Sequence, residues 1–221
     1  MSYWEFLAQN ASRFLDGTLV TIAQFLLSAM LAILLALTAG LMKLSRNFTV
    51  RWIAGVYIEI FRGTSLLIQL YWIFFVLPLF GLTLDKFYTG FIAVGLNLGA
   101  YGAELVRGGI QSVPKGQWEA AYAISMSPAK RMYRIILPQA FLNMLPPWGN
   151  LMIELLKATA LVSLISVTDL MFEAKQINGS TFLSAQAFGT ALIIYYIFAR
   201  LIVTPFMRWL ERFMARKLGR A

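Results

Sequence analysis

The sequence contains no histidine and no cysteine among its 221 residues. Their absence excludes imidazole and thiolate zinc sites, Ser-His-Asp and Cys-His nucleophiles, and disulfide bonds. The phosphate-binding motif G-x-x-x-x-G-K-[ST] does not occur either, so we do not expect ATP to bind this chain through a P-loop. The sequence therefore predicts neither a metal site nor an enzyme active site.

Charged residues are also scarce. They make up 13% of the chain, while 59% of the residues are apolar and the mean hydropathy is +0.70. Soluble domains have about 25% charged and 45–50% apolar residues, so this composition predicts an all-α membrane protein. The net charge of +9 would suggest nucleic acid in a soluble protein. Here we attribute it to the orientation of the loops, and we expect no nucleic-acid partner.

Five apolar stretches are long enough to cross a bilayer, which takes about 20 residues. They lie at about 18–42, 54–80, 88–106, 147–170 and 187–207. Residues 1–16 mix aromatic and polar side chains, which predicts an N-terminal interfacial helix, with Asp16 capping the first span. The N-terminus lacks the pattern of a cleavable signal peptide. We therefore expect one multi-pass transmembrane domain over 1–221.

The basic residues predict the orientation of these spans. Three segments hold most of the 19 Lys and Arg residues: 42–54, 107–146 and the tail from Arg208 to Arg220. The other connecting segments carry only Arg13, Lys86 and Lys175. Because loops rich in Lys and Arg stay in the cytoplasm, the N-terminus is predicted outside and the C-terminus inside.

The third and fourth predicted spans are joined by a long cytoplasmic loop, about 112–140. A short helix is expected to begin near Glu119, where an acidic residue in the first turn suits the helix dipole. Ser127-Pro128 then predicts the N-cap and first residue of a second short helix, which is expected to end near Pro138. From these patterns alone, the loop could equally be an amphipathic hairpin that rests on lipid headgroups.

The residues of this loop resemble a known family. Glu119-Ala120-Ala121, followed by Ile136-Leu137-Pro138, is similar to the signature loop of permeases in ATP-binding-cassette (ABC) importers. Three stretches narrow the resemblance to the polar amino acid uptake branch: 107–121, 136–140 and 59–69. Two runs, 61–67 and 74–81, have a faint likeness to members for ectoine- or opine-type solutes.

The resemblance implies a type I ABC importer permease fold in the bacterial inner (plasma) membrane. It also implies that the loop at about 112–140, called the coupling loop below, sits in a cleft of one of two cytoplasmic ATPase subunits, which would bind ATP and Mg²⁺. A second permease subunit, identical or paralogous, and an extracytoplasmic solute-binding protein would complete the assembly. The coupling residues that it implies are Glu119, Ala120, Ala121, Ser125, Ile136, Leu137 and Pro138.

Two residues depart from the family pattern. Ser125 stands where the family usually has glycine, and a left-handed serine costs roughly 1 kcal/mol. We therefore expect a locally adjusted turn at Ser125, without loss of coupling. Ser65 stands where the branch commonly has proline, which weakens the expectation of a fixed kink in the second span.

Ionisable residues within spans are rare and usually functional. Three acid–base pairs are spaced i, i+3, close enough to form ion pairs on one helix face: Glu59/Arg62, Glu104/Arg107 and Glu154/Lys157. The first two lie near span ends, where structural pairing or snorkelling explains them. The third lies deeper, and a desolvated pair there suggests a polar cavity.

An amino acid carries an ammonium and a carboxylate, so a pathway for it needs both charges at close range. We expect Glu154 to face the ammonium and Lys157 the carboxylate. Neutral hydrogen bonds in the pathway could come from Gln69, Asn97, Tyr101 and Thr159, which could equally serve helix packing. The charges do not separate an amino acid from a compatible solute such as ectoine.

Two other classes of protein compete with this interpretation. An ion-gradient-driven secondary transporter usually shows inverted repeats and broken helix pairs in matching halves, and five spans do not divide that way. An intramembrane enzyme without His or Cys would need an Asp dyad or a Ser-Lys pair. The Asp residues all lie near span ends, and Ser163 is nearly two turns from Lys157.

Overall fold

The structure, a computed structural model, describes residues 2–217; Arg220 of the basic tail lies outside this range. The described part is helical and contains no strand. Its α-helices are α1 (Tyr3–Lys43), α2 (Phe48–Gly63), α3 (Leu66–Tyr71), α4 (Lys86–Gln111), α5 (Lys115–Ala123), α6 (Pro128–Arg131), α7 (Leu137–Thr159), α8 (Leu170–Thr181), α9 (Ser184–Ile197) and α10 (Thr204–Lys217).

Four helical stretches of the described range are long and apolar enough to cross a membrane: α1, α4, Pro128–Ile165 and Ser184–Lys217. A fifth candidate is the bent pair formed by α2 and Leu66–Phe80. The number of candidates agrees with the five stretches predicted from the sequence. The predicted third and fifth spans fall inside α4 and Ser184–Lys217.

The first span does not begin at residue 18 behind a separate interfacial helix. One helix, α1, runs from Tyr3 to Lys43, about 61 Å at 1.5 Å per residue, which is twice the hydrocarbon thickness of a bilayer. Its N-cap is Ser2, in a capping box with Glu5, and Asp16 lies inside the helix. The predicted cap at Asp16 is therefore wrong, and residues 3–16 form the first turns of α1 instead of a separate helix.

The N-terminal extension of α1 is stable because α8 and α9 cover one of its faces. Phe6 and Phe14 are buried there in a cluster that includes Ala174 of α8. Arg13 forms an ion pair with Glu173 at 2.8 Å. The sequence pattern does not indicate α8, and without α8 the N-terminal part of α1 has no predicted partner for this face.

The predicted second span, 54–80, is broken. After Gly63 the chain turns through 104°, and Thr64 has an extended backbone. Two side-chain amides satisfy the carbonyl of Phe61, which would otherwise be left free at the helix end: Gln69 Nε2 donates to it at 3.0 Å and Asn97 Nδ2 at 2.8 Å. Asn97 Nδ2 also donates to Gln69 Oε1 at 3.1 Å. These two buried amides hold the break together.

The predicted fourth span, 147–170, begins and ends earlier than expected. The helical stretch starts at Pro128 and continues through α7 to Ile165. The second helix of the coupling loop is thus part of the span and does not end near Pro138. Proline can be accommodated inside a helix when neighbouring hydrogen bonds rearrange, which is why it did not mark a boundary here.

Three short π-helical segments each lie just before a proline. They are Trp72–Val76 before Pro78, Met132–Ile136 before Pro138, and Phe198–Val203 before Pro205. In each, the residue preceding the proline donates its N–H to the carbonyl five residues back. Proline has no N–H and its ring crowds the carbonyl four residues back, so the wider π turn relieves both problems.

The most extensive helix contact in the described range joins α1 to α4. A Cβ atom added at Gly95 would lie 2.8 Å from the side chain of Leu31, and one at Gly102 would lie 2.7 Å from Cβ of Ala36. Such distances are shorter than real Cβ contacts, so only glycine fits there. The main apolar cluster extends from this contact to α3 and α7.

We predict that Gln69→Leu lowers the free energy of unfolding by about 1–3 kcal/mol, because the Phe61 carbonyl and the Asn97 amide lose a buried partner. The measurement is equilibrium unfolding of the purified chain in detergent. In the double variant with Asn97→Leu, the Phe61 carbonyl loses both of its side-chain donors, whereas each single variant leaves it one, so the loss should differ from the sum of the two single losses. Strictly additive losses would contradict the described network.

Candidate functional site

The first part of the coupling loop is α5, which carries the predicted coupling residues Glu119, Ala120 and Ala121. Glu119 and Ala120 are exposed, whereas Ala121 is fully buried. Trp118 packs against the apolar cluster formed with the ends of α4 and α7. One face of α5 is therefore packed against the rest of the chain, and Glu119 on the other face is exposed.

At Ser125, which follows α5, the backbone is left-handed, with φ 54°. The N–H of Met126 donates to the carbonyl of Ala121 at 3.1 Å, and the N–H of Ser125 donates to that of Tyr122 at 2.9 Å. This pair of hydrogen bonds is the Schellman motif, which usually has glycine at the left-handed position. The expected local adjustment of the turn is therefore wrong, because serine adopts the strained conformation itself.

The remaining predicted coupling residues lie where α6 continues into α7. Ile136 is fully buried, and Leu137 and Pro138 are half-buried. Ile136 belongs to the same apolar cluster that receives Trp118. The structure therefore brings the two halves of the signature motif together, with Glu119 as its exposed acidic residue.

Gln69, Asn97 and Thr159 are buried among the helices. The first two hold the break after α2, and the Thr159 hydroxyl donates to the carbonyl of Leu156 at 2.7 Å. Their geometry favours helix packing, the second of the two roles that the sequence left open. Tyr101, by contrast, is exposed, and the guanidinium carbon of Arg62 lies 5.2 Å from its ring centroid.

Two of the three predicted charge pairs are formed. Arg107 contacts Glu104 at 2.6 Å. In the part of the chain that the structure describes, Glu59 and Arg62 form no ion pair; Arg62 contacts the Tyr101 ring instead. The i, i+3 spacing permits a pair but does not require one, and a guanidinium also gains by lying over an aromatic face.

Lys157 donates to Glu154 Oε1 at 2.9 Å. The two side chains are 66% and 63% exposed, so the pair is not desolvated inside this chain as expected. It lies on an open face of α7, together with exposed Asn143 and Asn150. These four residues are called the polar stripe below. Asn143 and Asn150 were not predicted as site residues, although the spacing 143, 150, 154 and 157 places all four side chains on the same face of a helix.

Replacing Ser125 by glycine should raise the free energy of unfolding by about 1 kcal/mol, because glycine reaches positive φ without steric cost. The measurement is thermal unfolding of the purified chain, together with solute uptake, which should not fall. Ser127→Gly is the matched control: Ser127 has φ −61°, so glycine there should only lower stability. A sharp loss of uptake in Ser125→Gly would contradict this account of the turn.

The comparisons with known proteins agree with this geometry. Residues 28–216 match the family described as binding-protein-dependent transport system inner membrane component. A probable amino-acid ABC transporter permease of Sinorhizobium fredii is 43% identical over 209 residues, covering 92% of this chain and 87% of that protein. The L-cystine transport system permease TcyB of Bacillus subtilis is 40% identical, with 96% and 86% covered.

Two solved structures resemble the fold. The crystal structure of an amino acid ABC transporter with histidines superposes with a TM-score of 0.88 at 34% identity, covering 96% of this chain and 98% of that one. An inward-facing MetNI methionine ABC transporter has a TM-score of 0.80 at 18% identity and supports the fold alone. The chain therefore belongs to the family of binding-protein-dependent transport system inner membrane components, among the amino-acid ABC transporter permeases.

Proposed function

We propose that this chain forms half of the translocation pathway of an ATP-driven, binding-protein-dependent importer for a polar amino acid or a zwitterionic derivative. A second permease, identical or related, would cover the polar stripe, and two cytoplasmic ATPase subunits would bind ATP and Mg²⁺. A solute-binding protein would deliver the solute at the outer face of the inner membrane. This chain would carry out no chemical step itself.

The observation that carries the proposal is the continuity of one helical stretch. Pro128–Ile165 begins in the coupling loop and contains the polar stripe. From Lys130 to Glu154 the stretch advances by about 36 Å at 1.5 Å per residue. A displacement of the coupling loop by an ATPase would therefore be transmitted directly to the charged residues. This is an alternating-access mechanism in which one packed helix carries the change.

Charge on the open face of α7 supports a pathway role. Charged side chains at membrane depth usually face a protein interior or a water-filled cavity. Within the described residues, no second element covers Glu154 and Lys157, which are both more than half exposed. A second permease subunit placed against this face would create a cavity with both signs of charge, which suits a zwitterion.

We expect Glu119→Lys to release the ATPase subunit from the permease, because Glu119 is the exposed acidic residue of the signature motif. The measurement is a mild-detergent pull-down from the native membrane, with the masses of all retained proteins. Glu211→Lys in α10 is the matched acidic control and should retain the ATPase. If the wild-type chain came out alone and ATP did not change uptake in vesicles, the proposed importer would be wrong.

A second prediction separates solute binding from simple pairing in the polar stripe. Glu154→Gln and Lys157→Met should each lower uptake about tenfold or more, since one solute charge loses its partner. The swapped double variant, Glu154→Lys with Lys157→Glu, keeps the ion pair and should stay impaired. Swapping Glu104 and Arg107, a pair with the same spacing, is the control and should transport normally.

If the swap at Glu154 and Lys157 restored uptake, the two residues would serve each other and not the solute. The comparison of the two swaps decides this point without knowledge of the transported solute. Competition of uptake by cationic, acidic and neutral amino acids, and by ectoine, would then identify its class.

A further inference from the structure

Arg131 is an unusual buried cation in the coupling loop. It lies where α6 ends, and only 6% of its surface is exposed. Its guanidinium carbon is 3.7 Å from the ring centroid of Tyr122 and 5.9 Å from that of Trp118, both on α5. The side chain thus connects the two helices of the loop.

Within residues 2–217, the guanidinium of Arg131 has no hydrogen-bond acceptor and no acidic partner, and its Nε atom is completely buried. The aromatic rings stabilise its charge, but they accept none of its five N–H groups. A buried donor without an acceptor is costly, and buried charges are normally paired. An anion placed beside Arg131 could accept these hydrogen bonds and balance its charge.

A cavity of about 660 Å³ lies beside Arg131. Two further cations line it, Arg46 from the connection between α1 and α2 and Lys115 from the start of α5. No acidic residue is among its described lining residues. Three elements distant in sequence therefore direct positive charge toward one space, where a phosphate could accept bidentate hydrogen bonds from arginine.

The rest of the cavity wall is mainly apolar, with Leu44, Ile110 and Val113 among its residues. It opens at the ends of α1 and α4, where these long helices leave the predicted hydrocarbon region on the side rich in Lys and Arg. A free phosphate gains no stabilisation from an apolar wall, whereas the glycerol and first acyl carbons of a lipid can pack against it. Basic pockets at such membrane surfaces suit acidic headgroups.

We infer that this cavity binds the phosphate headgroup of an acidic phospholipid, with Arg131 as the central ligand and Arg46 and Lys115 at its rim. Because Arg131 packs between the two helices of the coupling loop, a bound lipid would stabilise the position of α5 against α6. The inference rests on the geometry of this cavity and does not depend on which solute is transported.

The test is native mass spectrometry of the purified chain in detergent, titrated with phosphatidylglycerol or with phosphatidylcholine. The wild-type chain should retain phosphatidylglycerol preferentially. Arg131→Gln should weaken that retention about fivefold, the effect of about one lost basic contact. Arg134→Gln is the matched control, since Arg134 is exposed, lies one turn further on and does not line the cavity; it should retain the lipid as wild type does.

Arg131→Lys keeps the charge but not the planar donor fork, so its retention should be intermediate. If Arg131→Gln does not fold, as judged by gel filtration, Arg46→Gln at the exposed rim provides the same comparison. Inorganic phosphate at millimolar concentration should not displace phosphatidylglycerol; displacement would assign the site to free phosphate and overturn the lipid assignment.

Two other outcomes would overturn the inference. Equal losses in Arg131→Gln and Arg134→Gln would show only general surface attraction. Unchanged lipid retention in Arg131→Gln, with loss of the co-purified ATPase, would assign the cavity to a carboxylate of that partner. Neither result would bear on the pathway proposed above, because retention of lipid by the purified chain involves neither solute nor ATP.

Discussion

The close approach of α1 and α4 is the constraint on which the rest of the structure depends. With glycine at positions 95 and 102, Leu31 and Ala36 of α1 pack directly against the backbone of α4. The contact fixes the position of Asn97, which projects from α4 toward the end of α2 and donates to Phe61. The break in the second span thus depends on a helix contact made by other parts of the chain. A bulkier residue at Gly95 would move the amide away from the break.

The sequence predicted the helical class and the third and fifth spans, because the apolar runs of α4 and Ser184–Lys217 are long and little interrupted. It did not predict the break after Gly63, since the surrounding run 54–80 is apolar enough to be one span. The amides that hold the break come from Gln69 and from Asn97, and the second of these lies on another helix. Contacts between distant residues leave no periodic pattern in the sequence.

The sequence also predicted only part of the candidate site. The signature residues pointed to this loop, and Glu119 is exposed, as the proposed coupling role would require. Ser125 keeps the left-handed turn because the two Schellman hydrogen bonds and the packing of Ala121 outweigh a cost of about 1 kcal/mol. From the sequence, Arg131 is only one of several basic residues in a loop. Its burial could not be predicted, because it results from contact with the aromatic rings of α5.

The π segments before Pro78, Pro138 and Pro205 have a mechanical consequence. At each of them the regular ladder of i→i+4 hydrogen bonds is already interrupted. Bending a helix at a π segment rearranges its wider hydrogen bonds without breaking any i→i+4 hydrogen bond. We therefore expect these helices to bend most easily at the π segments. The segment before Pro138 lies within the coupling loop, between α6 and the polar stripe of α7. A push along the helix axis is therefore transmitted through this π segment, while the angle between α6 and α7 can change.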